Sequence, residues 1–301
     1  MKKRLIVTGA NGFVGGSVVW HAGDAWEVHA VARKEVGFHR AGLVWHLLDL
    51  RDTDGLYRLF QTVKPDVVIH AAAVADIDYC ETHRDTAEAV NVGVTDEIAE
   101  YCSESGARLI FLSTDTVFDG KKGNYCEEDT PSAVNFYAET KIRAEKIVSN
   151  KVRDAVIARL SLVMGLPVLG TGNSFLSRML ASLKDGREYG VPDNEIRTPV
   201  DVITLGRALL ELAENDFTGF IHLAGNDRLN RFVMSQRIAE RLGYSRDLIV
   251  VKNFNGIAGR APRPLDASMD NSKARAALKT PMCGLDDGLE LILAVKEGVS
   301  S

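Results

Sequence analysis

Short apolar runs alternate with stretches of helical spacing through the first 160 residues of the chain. Leu5-Ile6-Val7 is the first run, and residues 12–21 follow it with a helical pattern. Residues 28–32, 44–48 and 67–70 are three further runs, the last opening just after Pro65-Asp66. Between residues 87 and 104 the apolar positions Val90, Val94, Ile98 and Tyr101 recur at helical intervals, and Gly106 ends the helix before a fifth run at 108–112. An amphipathic segment at 136–149 leads into a sixth run at 155–160. This alternation predicts an α/β fold, a Rossmann-type doubly wound parallel sheet covered by helices on both faces.

The alternation loosens after residue 160. Gly165, Pro167, Gly170 and Gly172 mark a loop region, with a helix expected at 174–184. A helix near 202–214 and a short strand at 220–223 read as a return to the sheet. Helices near 271–279 and 286–296, with the irregular stretch from Arg260 to Pro264, make up the rest. The expected division is a dinucleotide-binding domain at 1–160 plus about 198–223, and a smaller substrate lobe at about 161–197 and 224–301, with a cleft between them.

The chemistry begins at the first strand-to-helix turn, Thr8-Gly9-Ala10-Asn11-Gly12-Phe13-Val14-Gly15. Glycines let a backbone turn sharply and approach a diphosphate closely, and a helix N-terminus presents free N–H groups to the anion. The spacing is GxxGxxG rather than GxGxxG, but its position at the first βα turn is the one a dinucleotide requires. The second strand ends Ala32-Arg33-Lys34, where an NAD site usually has a carboxylate for the ribose hydroxyl. A cation there suits a 2′-phosphate, so NADPH is the expected cofactor, with NADH as the second option. Asp49, after the third strand, is expected either to accept from the adenine amino group or to cap the next helix.

Tyr137 and Lys141 stand four residues apart, on one face of the expected helix. A lysine cation beside a phenol favours phenolate and is expected to bring its pKa toward the working range. Ser113-Thr114-Asp115 ends the fifth strand, at the sheet edge where ligands bind in open α/β folds. A hydroxyl there can hold a carbonyl oxygen while the phenol protonates it.

Composition narrows the partners. The chain has 301 residues, 46% of them hydrophobic and 26% charged, with 36 basic against 41 acidic side chains for a net charge of −5. That balance points away from nucleic acid and from an anionic membrane surface. Four separated cysteines (Cys80, Cys102, Cys126, Cys283) form no CxxC pair and read as reduced thiols of a cytoplasmic protein. The basic start, Met1 to Arg4, runs into an apolar stretch that Gly9, Asn11 and Gly12 break, so no signal peptide is expected. Seven histidines include no ligand pair, and no metal is expected. Arg231, Arg237 and Arg241 read as a solvated helix face. Glu127-Glu128-Asp129 reads as surface.

Taken together, the motifs resemble the extended short-chain dehydrogenase/reductases, and within them the dTDP-4-dehydrorhamnose reductase family. The resemblance rests on the Val7 to Gly15 turn, His70-Ala71-Ala72-Ala73 with Asp78, Cys80 and Glu81, Ser113-Thr114-Asp115, and Val117 to Gly120. It continues with Glu127 to Pro131, Tyr137, Lys141, Arg263-Pro264 and Met269 to Lys273. It implies that Tyr137 donates a proton to the sugar C4 oxygen, that Lys141 holds the nicotinamide ribose, and that Thr114 completes the triad. Gly9, Asn11, Gly12, Phe13, Val14, Gly15, Arg33, Asp49, Leu50, Ala71, Ala72, Ala73 and Asn91 are implied to meet the cofactor. Ser113, Asp115 and Thr116 are implied on the side of a nucleotide-sugar substrate, and Arg260 and Arg263, in the irregular segment that should cover the cleft, read either as cations for its diphosphate or as surface salt bridges.

Two positions depart from the family pattern. Thr116 stands where relatives carry a tyrosine beside the sugar, and Ala138 stands where glycine follows the tyrosine of the triad. Two other readings stay open: an epimerase or dehydratase of nucleotide sugars, and a non-catalytic NADP-binding regulatory subunit like that of methionine adenosyltransferase. A homodimer is compatible with each.

Overall fold

The computed structural model describes residues 2–34, 36–170, 174–252, 257 and 259–299, the side chains of the last four excepted. Gly172, expected in a loop, lies outside them. The first half of the chain runs β1 (Lys3–Thr8), α1 (Phe13–His21), β2 (Trp26–Ala32), β3 (Leu43–Leu47), α2 (Thr53–Val63), β4 (Val67–His70), α3 (Ile77–Thr82), α4 (Arg84–Glu88), α5 (Val94–Ser105), β5 (Arg108–Thr114), α6 (Phe136–Lys151) and β6 (Ala155–Leu160). The second half adds β7 (Val163–Met164), α7 (Phe175–Lys184), β8 (Tyr189–Val191), β9 (Ile196–Arg197), β10 (Val200–Asp201), α8 (Val202–Glu214), β11 (Gly219–Leu223), β12 (Leu229–Asn230), α9 (Arg231–Arg241), β13 (Ile249–Val251), α10 (Ser272–Ala277) and α11 (Leu285–Val299).

Seven of these strands form one sheet in the order β11-β6-β5-β4-β1-β2-β3, every pair parallel. Parallel strands buried on both faces read as continuous apolar runs, and their period of two sorts side chains between the faces. Val7, Ala30, Ile69, Ile110 and Val156 pack with α1 and α8 on one side. Ile6, Val31, Val68, Phe111 and Ile157 pack with α2, α5 and α6 on the other. The return strand expected at 220–223 is β11, paired in parallel with β6.

A third core joins α7, α9 and α11 through Met179, Ile238 and Leu289, with the two-stranded pieces β7·β10, β9·β12 and β8·β13 around it. Ala274, Leu278 and Met282 instead enter the first core of the main sheet, so the C-terminal segment touches both bodies. No helix of the described residues is long and apolar enough to cross a membrane.

The helix expected at 87–104 is present but is not α throughout. α4 and α5 are joined by a turn of π-helix at Ala89–Gly93, whose wider loop holds one residue more than an α turn. Glu127 also departs from expectation: its side chain turns inward and accepts from the backbone N–H of His222 at 2.9 Å.

Candidate active site

The strand order reverses at β1 and β4, which places a crevice beyond their C-terminal ends. Gly9 ends that edge with φ +63°, and a Cβ on it would lie 2.9 Å from the Cα and N of Ala72. A Cβ on Gly15 would stand 2.3 Å from the carbonyl oxygen of Gly9. No side chain caps α1, whose Ncap is Gly12, so its first N–H groups are left for an acceptor from outside. Asn11 donates to the Lys34 carbonyl at 3.1 Å and ties the turn to the end of β2. Phe13 and Val14, both half-buried, anchor α1 in the third and first cores. The cradle therefore fits a dinucleotide diphosphate.

Across the crevice, Thr8 Oγ1 hydrogen-bonds His70 Nδ1 at 2.7 Å and accepts from the Ala72 N–H at 3.2 Å. His70 Nε2 meets Thr95 at 3.1 Å, and burial holds the imidazole down to a pKa of about 3, so it is neutral. Ala71 to Ala73 are thereby laid alongside Gly9. Asn91 sits on the π turn, accepts from the Val74 N–H at 2.8 Å, and donates to the Val74 carbonyl and to Thr140 at 3.1 Å each. It bridges the cofactor wall to α6.

At the far end of the crevice, Arg33 is exposed just past β2. Asp49 does not cap α2. Its carboxylate is held by Arg51, Nε at 3.0 Å and NH2 at 2.6 Å, and those bonds, with the Arg33 charge adding to them, hold its pKa down to about 2. Asp52 is the cap, accepting from the Gly55 N–H at 3.0 Å. Leu50 is half-buried against the second core. Arg51 was not expected here: a basic residue two positions after a strand-end aspartate looks like any solvated loop cation.

Asn135 starts α6 by accepting from the Ala138 N–H at 2.9 Å, and this sets Tyr137 and Lys141 on the turns nearest the sheet edge. Tyr137 is buried beside Cys80, with Thr114 close enough to favour its phenolate. Its pKa is raised, first by burial and then by the Cys80 and Asp115 charges, with Thr114 opposing. The expected lowering by Lys141 is corrected here. Lys141 Nζ lies 4.0 Å over the Phe111 ring, and burial pushes its own pKa down to about 7 against the pull of Glu145. Helical spacing brought the two side chains to one face, but the phenol faces β5's end while the ammonium folds onto the β5 ring below.

Strand alternation also corrects Ser113. It shares the face of Phe111, under α6, and donates to Glu145 at 2.5 Å, while Thr114 points the other way into the crevice. Thr114 Oγ1 lies 3.2 Å from Asp115 Oδ1 and 3.1 Å from the hydroxyl of Thr116.

Asp115 is buried, its pKa raised by burial against the pull of Arg197, 3.6 Å away. Its Oδ2 has no hydrogen-bond partner among the described residues. Glu195 gathers Arg197 at 3.8 Å, Arg231 at 3.6 Å and Arg260 at 3.5 Å. Arg231 is therefore not on a solvated face: it lies 5.6 Å over the Phe175 ring, and burial lowers its pKa. Arg237 and Arg241 pair with Asp286 and Glu290 at the surface. Arg263, a substrate cation in one of its two readings, instead forks onto Asp78, NH1 to Oδ1 at 2.6 Å and NH2 to Oδ2 at 2.9 Å. A planar guanidinium committed to both oxygens of one carboxylate has few donors left for a ligand. Among the described residues no group of three or more His, Cys, Asp or Glu could hold a metal ion.

The chain is similar to several known proteins. Over 278 residues the chain is 30% identical to methionine adenosyltransferase 2 subunit beta of Rattus norvegicus, covering 90% of this chain and 81% of that protein. Over 305 residues it is 28% identical to the probable low-salt glycan biosynthesis reductase Agl14 of Haloferax volcanii, covering 98% and 99%. The crystal structure of dTDP-4-dehydrorhamnose reductase from Bacillus anthracis in complex with NADP superposes with a TM-score of 0.87 at 24% identity, over 98% of this chain and 99% of that one. The model of the RmlD substrate binding domain matches residues 2–297, nearly the whole of the chain. With a Rossmann-like sheet and a Thr114, Tyr137 and Lys141 set at its C-terminal edge, the chain belongs to the RmlD substrate binding domain family.

Proposed function

We propose that this protein is an NADPH-dependent reductase of a nucleotide-linked 4-keto-6-deoxy sugar, of the kind that dTDP-4-dehydrorhamnose reductases act on. The observation that carries the reading is the buried Tyr137 phenol with Thr114 next to it at the sheet edge that also carries the Gly9 to Gly15 cradle. Gly9, Gly12 and Gly15 would hold the diphosphate, Arg33 and Arg51 would face the 2′-phosphate, and NADH would bind more weakly. The cofactor supplies a hydride to the carbonyl carbon.

Thr114 holds the carbonyl oxygen, and Tyr137 gives it the proton. A raised phenol pKa suits this direction of reaction, because the acid keeps its proton until a far more basic alkoxide develops next to it. Lys141, titrating near pH 7, adds positive potential under the developing oxyanion. Arg197, Arg231 and Arg260 outnumber Asp115 and Glu195 and leave an excess of positive charge for a substrate diphosphate. Thr116 leaves more room beside the sugar than a tyrosine would. In this reading residues 1–160 and about 198–223 carry the cofactor and the remainder carries the substrate, in the cytoplasm.

The likeness to a methionine adenosyltransferase subunit favours a second reading, a regulatory subunit that binds NADP without turnover. An epimerase or dehydratase is a poorer fit, since Arg33 stands where a tightly held NAD needs a carboxylate. Single-turnover NADPH oxidation with a panel of nucleotide 4-keto sugars, small ketones and cofactor alone decides among these. Oxidation with a nucleotide sugar is expected, and Tyr137→Phe is expected to lose about 10²–10⁴ of that rate while still binding NADPH. Oxidation with small ketones alone would remove the substrate assignment, and binding without any turnover would favour the regulatory subunit.

A further inference from the structure

The first turn of α6, which carries Tyr137, is held from two sides by residues far apart in sequence. On one side Glu81 of α3 accepts from the Phe136 N–H at 3.0 Å, and Cys80 packs against the Tyr137 ring. Arg84, paired with Glu81, lies 4.8 Å over the Phe136 ring. On the other side Asn135, the cap of α6, donates to the Pro262 carbonyl at 2.9 Å. The two sides are themselves joined. Asp78 of α3 accepts from the Ala261 N–H at 2.9 Å and takes the fork of Arg263, whose NH1 also reaches the Ala261 carbonyl at 2.6 Å. A closed ring results, running Asn135, Pro262, Arg263, Asp78, Glu81, Phe136, with Tyr137 next in the chain after it. Arg197, beside Asp115, extends the ring by donating to the Pro264 carbonyl at 3.0 Å.

We propose that Asp78 and Arg263 are positioning residues for Tyr137: their ion pair clamps residues 261–263 onto α3, and the clamped pair fixes the turn that aims the phenol. This rests on the reading of Tyr137 as the proton donor. A backbone segment held at one end only would let the α6 cap drift, and a misplacement of about 1 Å at a reacting group can cost 10²-fold in rate. Neither side chain needs to touch substrate for this. The pair acts through Ala261, Pro262 and Asn135 on one arm and through Cys80 and Glu81 on the other.

The test uses the full chain with Asp78→Asn, Arg263→Gln and Arg263→Lys. With the ketone that the parent reduces best, kcat is expected to fall about 10- to 100-fold in the first two, with KM little changed and NADPH affinity kept. Arg263→Lys keeps the charge and is expected to recover part of the loss, which also separates positioning from failure to fold. A second readout needs no turnover. In protein labelled with ¹³C at the tyrosine ring carbon bearing the hydroxyl, the Tyr137 signal is assigned by its loss in Tyr137→Phe. It is expected to shift or broaden in Asp78→Asn while the signals of Tyr57, Tyr101 and Tyr189 stay in place. A normal kcat with an unmoved Tyr137 signal overturns the proposal, and a raised KM at unchanged kcat overturns it in favour of a substrate contact at Arg263. If Tyr137→Phe turns over normally, the proton-donor reading fails by itself, and the ring signal then decides alone whether the clamp holds the phenol.

Discussion

Lys141 is the residue whose environment departs furthest from what its spacing suggests. Its folded pKa of about 7 lies well below the ordinary 10.5. Below pH 7 the amine is charged in both folded and unfolded chains, so folding bears the full penalty of burying that charge. Between the two pKa values only the unfolded chain keeps the proton, and stability climbs with pH; above both the penalty is gone. Lys141→Met is therefore expected to raise the denaturation midpoint below pH 7, with the gain shrinking toward pH 10, while turnover is lost. A gain that does not vary with pH would show that packing, not charge, is the cause. At the other end of the crevice Arg33→Ala is expected to narrow the preference for NADPH over NADH in paired affinity measurements, and equal affinities in the parent would end that argument. Tyr137, Lys141 and Thr114 were legible as a set because their spacing and strand position are local facts. The fork of Arg263 onto Asp78 was not legible, since 185 residues separate the partners and nothing in either segment names the other.

Among the elements, β1, β2, β4, β5, β6 and β11 could be read from their apolar runs, because strands buried on both faces are mostly apolar, and the edge strand β3, with Val44 and Leu47 exposed, showed a run of the same kind. The two- and three-residue strands β7, β8, β9, β10, β12 and β13 could not, as they are too short for any period to show. Alternation, which hid Ser113's role when three polar residues were read together, explains it once the face of α6 is known. Ser113, Glu145 and Arg159 form a buried group in which Arg159 donates to both Glu145 oxygens at 2.9 Å. Both charged side chains are within 3% of full burial. Glu145→Ala leaves Arg159 an uncompensated buried charge and is expected to cost about 3–5 kcal/mol in denaturant unfolding. Replacing both together, Glu145→Met with Arg159→Leu, is expected to restore much of that, and a double variant no better than the single one would locate the stability elsewhere.

At the level of the whole molecule the cradle and the clamp come from opposite ends of the chain. Strands β1 to β6, and with them the Gly9 to Gly15 turn, are contained in residues up to Leu160, whereas Arg263 lies 103 positions later. A ribosome adding roughly 5–20 residues per second makes that interval roughly 5–20 s. The order of manufacture is thus built into the connectivity: the strands and turn proposed to hold the cofactor leave the ribosome before the segment proposed to position Tyr137. Once α8 and β11, which complete the first core and the sheet, have also been made, a newborn chain is expected to hold the dinucleotide before the Arg263 segment is in place. Refolding from denaturant offers a view of the same sequence of events, with NADPH fluorescence expected to report capture before turnover returns. Simultaneous recovery of both would mean that the two ends assemble as one unit.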